Sequence, residues 1–185
     1  MLDGMRELLS TSLGSGIDLQ FDIDASVGLV LADTNQMEMA LLNLAINARD
    51  AMSGIGSLRI SAARAVPPEK TLPAGEYCCV AVSDTGSGIL PENLDKVFEP
   101  FFTTKGVGKG TGLGLRQVYG MAQQSGGIAR VSSRCGEGTV VEIWLRTTEQ
   151  VSTDETSAQG DPAPMSNAGA RILVVEDDSS VRNSM

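Results

Sequence analysis

The chain has 185 residues, a formal charge of −9 and no histidine. The acidic balance is the reverse of the basic field a nucleic-acid binder needs. The missing histidine excludes a Ser/His/Asp triad, histidine metal sites and phosphorylation on a histidine of this chain.

Residues 1–13 read as the end of a helix, with Leu2, Met5, Leu8, Leu9 and Leu13 near helical spacing and Gly14 and Gly16 stopping it. The pattern begins without a cap, so this segment is expected to be a truncated helix. Asp18 to Ile23 alternates as a half-buried strand does, and Val27 to Leu31 reads as a second short strand. Asp33 is placed to cap a helix from about Asn35 to Met52, whose buried stripe is Met37, Leu41, Leu44, Ala48 and Ala51. Leu58 to Ala63 and Tyr77 to Val82 read as strands, separated by a proline-rich loop. A short helix is expected near Pro91 to Val97, an irregular mobile stretch from Phe98 to Lys109, and a helix from Gly112 to Gln124. Ile128 to Ser133 and Thr139 to Arg146 read as a hairpin turning at Cys135 to Gly138.

The composition changes after residue 148. Residues 149–169 contain no Lys, Arg, Leu, Ile or aromatic residue, and read as a disordered acidic linker. Residues 170–185 then open on an apolar strand ending in Glu176, Asp177 and Asp178. A strand of the kind buried in a parallel sheet does not stand alone, so it is expected to begin a second domain. The middle region predicts one mixed sheet with helices on one face, a two-layer α/β sandwich. The three cysteines lack metal-binding spacing and read as reduced thiols of a cytoplasmic protein. No stretch is long and apolar enough to span a membrane, so no membrane contact is expected of this fragment.

Five short motifs carry chemistry. In N-L-A-I-N-A-R-D-A, residues 43–51, Asn43, Asn47 and Asp50 share one helix face, as oxygen ligands for Mg²⁺ would; a solvated polar stripe gives the same spacing. In D-T-G-S-G-I, residues 84–89, an acid at a strand end is placed to accept from an exocyclic amine such as adenine's, and Gly86 and Gly88 allow a tight turn before Ile89. F-E-P-F-F-T-T-K, residues 98–105, holds three of the four phenylalanines and puts Lys105 beyond an apolar anchor. G-K-G-T-G-L-G-L, residues 108–115, opens a helix whose unpaired N–H groups favour phosphate. It is not a Walker A loop, because Lys109 is followed by Gly110, and the glycines are not spaced as in a dinucleotide fingerprint. G-E-G-T, residues 136–139, is on its own only a turn.

In order, these blocks resemble the N, G1, F, G2 and G3 boxes of sensor histidine kinases, over about residues 14–148. That family shares its ATP-binding fold, the GHKL type, with gyrase, mismatch-repair ATPases and a heat-shock chaperone. The resemblance implies a mixed, mostly antiparallel sheet and a catalytic ATP-binding domain. It implies that Asn47 ligates the Mg²⁺ of Mg-ATP, with Asn43 in support, and that Asp84 reads the adenine amine. Gly86, Gly88 and Ile89 would shape the base pocket, and Lys105 would lie near the phosphates on a lid. Gly110, Thr111, Gly112, Leu113, Gly114 and Leu115 would wrap the triphosphate, and Thr139 would help hold the base. Many members carry a basic residue where this chain has Asp50, and Ser where it has Arg116. Hydrolysing relatives place a glutamate one turn before the metal-binding asparagine; here that place is Asn43, and an amide takes no proton at neutral pH.

Residues 1–13 resemble the tail of a dimerisation helix, and residues 170–185 the first strand of a response-regulator receiver, with Glu176 and Asp177 as its Mg²⁺-binding pair. The resemblance thus implies a hybrid kinase. It would pass the γ-phosphoryl of ATP to a histidine on a dimerisation domain and signal to a receiver domain. The parent would be a homodimer, possible membrane spans lying upstream, while this fragment is expected to be a monomer. The alternatives are a stand-alone ATPase of this fold and a non-catalytic nucleotide-binding module.

Overall fold

The computed structural model describes residues 2–25, 27–67, 72–106 and 110–148. The expected linker over residues 149–169, and Glu176 and Asp177 within 170–185, lie outside them, as does Lys109. In chain order the elements are α1 (Leu2–Leu13), β1 (Ile17–Ile23), β2 (Leu29–Val30), α2 (Thr34–Ala51), β3 (Gly56–Ala65), β4 (Tyr77–Asp84), α3 (Pro91–Leu94), α4 (Gly114–Gln124), β5 (Ile128–Arg134) and β6 (Gly138–Thr148).

The strands form one mixed, mostly antiparallel sheet. β1 pairs parallel with β3, and the pairs β3–β4, β4–β6 and β5–β6 are antiparallel. The two-residue β2 pairs with Thr147 and Thr148 at the far end of β6. It is shorter than the expected 27–31: Val27 and Gly28 lie outside the ladder, and Leu31 is largely exposed.

The register aligns side chains in rows across the sheet, because alternate residues of a strand share a face. One row runs Phe21, Ile60, Val82, Val141 and Val131 across β1, β3, β4, β6 and β5. Its neighbour towards the other end of β6 runs Ile23, Ala62, Val80, Ile143 and Ala129. On this face lie α2, against β3, β4 and β6, and α4, against β5 and β6. Met37, Ala40, Leu41, Leu44, Ala45 and Ala48 of α2 are buried there, joined by Val118, Met121 and Ala122 of α4. Each large aliphatic so buried contributes roughly 1.5–3 kcal/mol relative to exposure. Ala51, expected in the stripe, is only half-buried.

Asp33 caps α2: its carboxylate accepts from the Gln36 N–H at 2.8 Å. The helix expected from Gly112 instead begins at Gly114, because Gly112 has φ +65°, which no helical residue adopts. Cys78 and Cys79 do point to opposite faces; Cys78 is opposite Leu145 of the core. Among the described residues no helix is long and apolar enough to cross a membrane.

Candidate nucleotide site

A third row of side chains changes character along its length. It runs Leu19, Leu58, Asp84, Thr139 and Ser133 at the end of the sheet where β4 finishes and β6 starts. The first two are apolar; the last three are polar and share a network. The N–H groups of Gly86, at 2.8 Å, and Thr139 bind the Asp84 carboxylate. The Ser133 hydroxyl lies 3.0 Å from that of Thr139, donates to the Gly138 carbonyl at 2.7 Å and accepts from the Ile89 N–H at 2.8 Å. Burial raises the pKa of Asp84 above its ordinary value, and the two N–H groups offset this only in part. The fold therefore keeps a carboxylate at the base of a cleft at a cost to its charged form.

That cleft encloses about 1470 Å³ between the sheet, α2, α4 and residues 102–106 and 110–112. It is lined at one end by Asp84, Gly88, Ile89, Val82, Thr139 and Val141. At the other end are Asn43, Asn47, Asp50, Lys105, Gly110 and the start of α4 from Thr111 to Leu115. The structure therefore brings every sequence-predicted residue of the described part to one cavity except Gly86. Gly86 is set back from the cavity, and its N–H holds Asp84.

Two glycines owe their identity to protein contacts. Gly88 has φ +70°, and a Cβ there would overlap the carbonyl oxygen of Arg134 at the β5–β6 turn. Gly112 has φ +65°, and a Cβ would overlap the backbone of Phe101. The Phe101 N–H donates to the Gly112 carbonyl, so these close approaches fasten Phe101 to the entrance of α4. The first residue of α4, Gly114, faces Asn43 and Asn47, and no side chain caps this helix. Its first-turn N–H groups are thus available to an anion.

The asparagine end of the cleft is also organised by two residues to which the motifs gave no role, Gln117 and Arg49. Asn43 Nδ2 donates to Gln117 Oε1 at 2.8 Å, which leaves the Asn43 carbonyl for other partners. Lys105 Nζ lies 3.2 Å from Asn47 Oδ1 and 2.6 Å from Asp50 Oδ2. Arg49 immediately precedes Asp50 on α2. It turns back to donate to Asp50 Oδ1 from Nε at 3.3 Å and Nη2 at 3.1 Å, and from Nη1 to the Ser12 carbonyl at 2.9 Å. Burial raises the Asp50 pKa, but the hydrogen bonds and charges of Lys105 and Arg49 outweigh it and hold it below the ordinary value. Oxygen donors and an ammonium already seated on them suit a hard divalent cation. Among the described residues no three Asp, Glu, Cys or His side chains cluster as a metal cage.

Residues 32–149 match the family model described as histidine kinase-, DNA gyrase B- and HSP90-like ATPase. The chain belongs to this ATPase family. The sensor kinase CckA of Brucella abortus (strain 2308) is 40% identical over 195 residues, covering 98% of this chain and 20% of that protein. The sensor histidine kinase ZraS of Escherichia coli K12 is 34% identical over 129 residues, covering 70% of this chain and 25% of that protein. The chain thus spans about a fifth to a quarter of these relatives. Among solved structures, full-length ShkA in complex with AMPPNP aligns with TM-score 0.64 and 27% identity, over 80% of this chain and 30% of that one. The catalytic domain of histidine kinase ThkA aligns with TM-score 0.60 and 28% identity, over 79% and 87%. Within this ATPase family the histidine-kinase members supply the matching architecture: a mixed, mostly antiparallel sheet with helices.

Proposed function

We propose that this chain binds Mg-ATP in the cleft and donates the γ-phosphoryl to a histidine outside its own sequence, as the catalytic part of a two-component sensor kinase. The observation that carries the reading is the polarity of one cavity. An ionisable carboxylate, Asp84, stands on the sheet at one end, while two asparagines, a lysine and an uncapped helix start face each other at the other. An adenine amine fits the first and a triphosphate the second. Asn47 would hold the Mg²⁺, supported by Asn43; bound there, the ion would neutralise charge on the phosphates. Lys105 and the N–H groups at the start of α4 would stabilise the transferring phosphoryl group by position and charge.

Hydrolysis is the weaker outcome for a physical reason. The carboxylates lining the cleft are Asp84 at the base end and Asp50, already engaged by Lys105 and Arg49. Asn43 cannot take a proton from water. The chain has no histidine, so the acceptor must be supplied by another segment or chain, as in a dimerisation domain. The first strand and start of a receiver domain at residues 170–185, with Glu176 and Asp177 as the metal-binding pair of the completed domain, and a homodimeric parent belong to the same reading.

The test supplies a histidine-bearing dimerisation domain in trans with ATP labelled on the γ-phosphate. Label on the acceptor histidine, with little free phosphate when the acceptor is left out, is the expected result. Steady phosphate release without acceptor, or no nucleotide binding, would overturn the reading.

A further inference from the structure

Lys105, Asn47 and Asp50 together describe a place for a cation. The ammonium rests on one neutral and one charged oxygen, from residues three apart on α2, so both face the same side. The pair lies at the solvent-accessible mouth of the cleft, with the Lys105 and Asp50 side chains about a third exposed, at 33% and 34%. Asp50 is also held on its other side. Arg49 grips Oδ1 and is itself anchored on the Ser12 carbonyl near the end of α1, so Oδ2 is presented to the cleft.

We propose that Asp50 is the charged protein partner of the magnesium ion that arrives with the triphosphate, and that Lys105 keeps this cation position filled until the metal displaces it. The inference rests on the Mg-ATP reading and deepens it. Magnesium in nucleotide sites is held by one or two carboxylates together with substrate phosphates and waters. Asn47 alone offers no charge. Asp50 is the carboxylate lining the same end of the cleft, and an ammonium has shown the position to be attractive to positive charge. Displacement frees Lys105 for the phosphates, so one exchange loads the metal and arms the lysine. Without metal, the same carboxylate repels the triphosphate. Arg49 is a positioning residue in this scheme, fixing which oxygen of Asp50 faces the cleft.

The experiment measures AMPPNP binding to the full chain by calorimetry, in EDTA and across a Mg²⁺ series, for wild type, Asp50→Asn and Lys105→Met. Thermal melts check that each variant folds. Asp50→Asn should bind metal-free AMPPNP more tightly than wild type, yet lose about tenfold of the affinity gained from Mg²⁺, the scale of one charge-assisted contact. Lys105→Met should lower the Mg²⁺ concentration at half-effect, because no ammonium competes. Equal shifts with and without metal, or no shift, in Asp50→Asn would overturn the proposal. If that variant does not fold, Lys105→Met decides, and an unchanged or higher Mg²⁺ requirement overturns it. Absence of AMPPNP binding by the wild type would instead sink the nucleotide reading itself and the proposal with it.

Discussion

Asp84 of β4 stands directly opposite Thr139 of β6, on the helix-covered face of the sheet and one row from the apolar core. A carboxylate so placed is retained against the preference of its surroundings, since burial disfavours its charge. Asp84→Asn removes that charge, so the melting temperature of the empty protein should stay level or rise. The amide can turn its N–H₂ to the adenine amine as easily as its oxygen, and loses the charge-assisted bond. Affinity for ATP should fall by about 2 kcal/mol, some thirtyfold. Calorimetry and melting curves on the same samples check both halves; a matched loss of stability and affinity would make Asp84 a structural residue.

The same carboxylate predicts a pH effect. Its folded-state pKa lies above the ordinary 3.8, so its contribution to folding is present below the unfolded value and is lost as pH rises through the folded one. In the proposed role nucleotide binding has the opposite sign, because an ionised carboxylate accepts from the amine more strongly than a protonated carboxyl does. Affinity should therefore weaken on acidification at a pH above the usual aspartate range, and this dependence should vanish in Asp84→Asn. Binding measured in a pH series that starts in the ordinary aspartate range and rises from there tests it.

Much of this architecture is legible in the residues themselves. Asp33 followed by the apolar spacing of Met37, Leu41 and Leu44 states where α2 begins and which side it buries, because capping and periodicity are local. The motifs at residues 84–89, 108–115 and 136–139 fall at element ends for the same reason. What is not legible is pairing across the chain. Gln117 meets Asn43 across 74 positions, and Lys105 meets Asp50 across 55. Neither pairing carries a local signal. Ser133 was within reach: once the hairpin turns at Cys135 to Gly138, register alone sets Ser133 opposite Thr139. Gly86 and Gly112 fit their motifs but serve protein contacts, which only the tertiary structure discloses.

Ser133→Ala offers a check on that register. The hydroxyl serves the Ile89 N–H, the Gly138 carbonyl and the Thr139 hydroxyl at once. Its removal leaves a half-buried N–H without its acceptor, at about 1–3 kcal/mol of stability. Because Ile89 and Thr139 both line the cleft, ATP affinity should also drop, by several-fold. Urea denaturation with and without nucleotide separates the two effects. A variant as stable as wild type would show that water replaces the hydroxyl.

Two glycines of one segment should respond in opposite directions to the same change. Gly120 lies inside α4, and a Cβ there meets nothing within 4 Å. Alanine restricts the unfolded chain and suits a helix, so Gly120→Ala should raise stability by about 0.4–1 kcal/mol with ATP binding unchanged. Gly112 sits two residues before the helix with φ +65°, and its added Cβ would overlap the Phe101 backbone. Strain of about 1 kcal/mol for the left-handed conformation comes with a steric overlap relieved only by moving the lid away from α4. The N–H groups at the start of that helix, and Lys105 beyond Phe101, would then no longer converge. Gly112→Ala should therefore lose most ATP affinity even if its melting temperature falls only slightly. Equal behaviour of the two variants would mean that the fastening of lid to helix is not what shapes the phosphate end of the cleft.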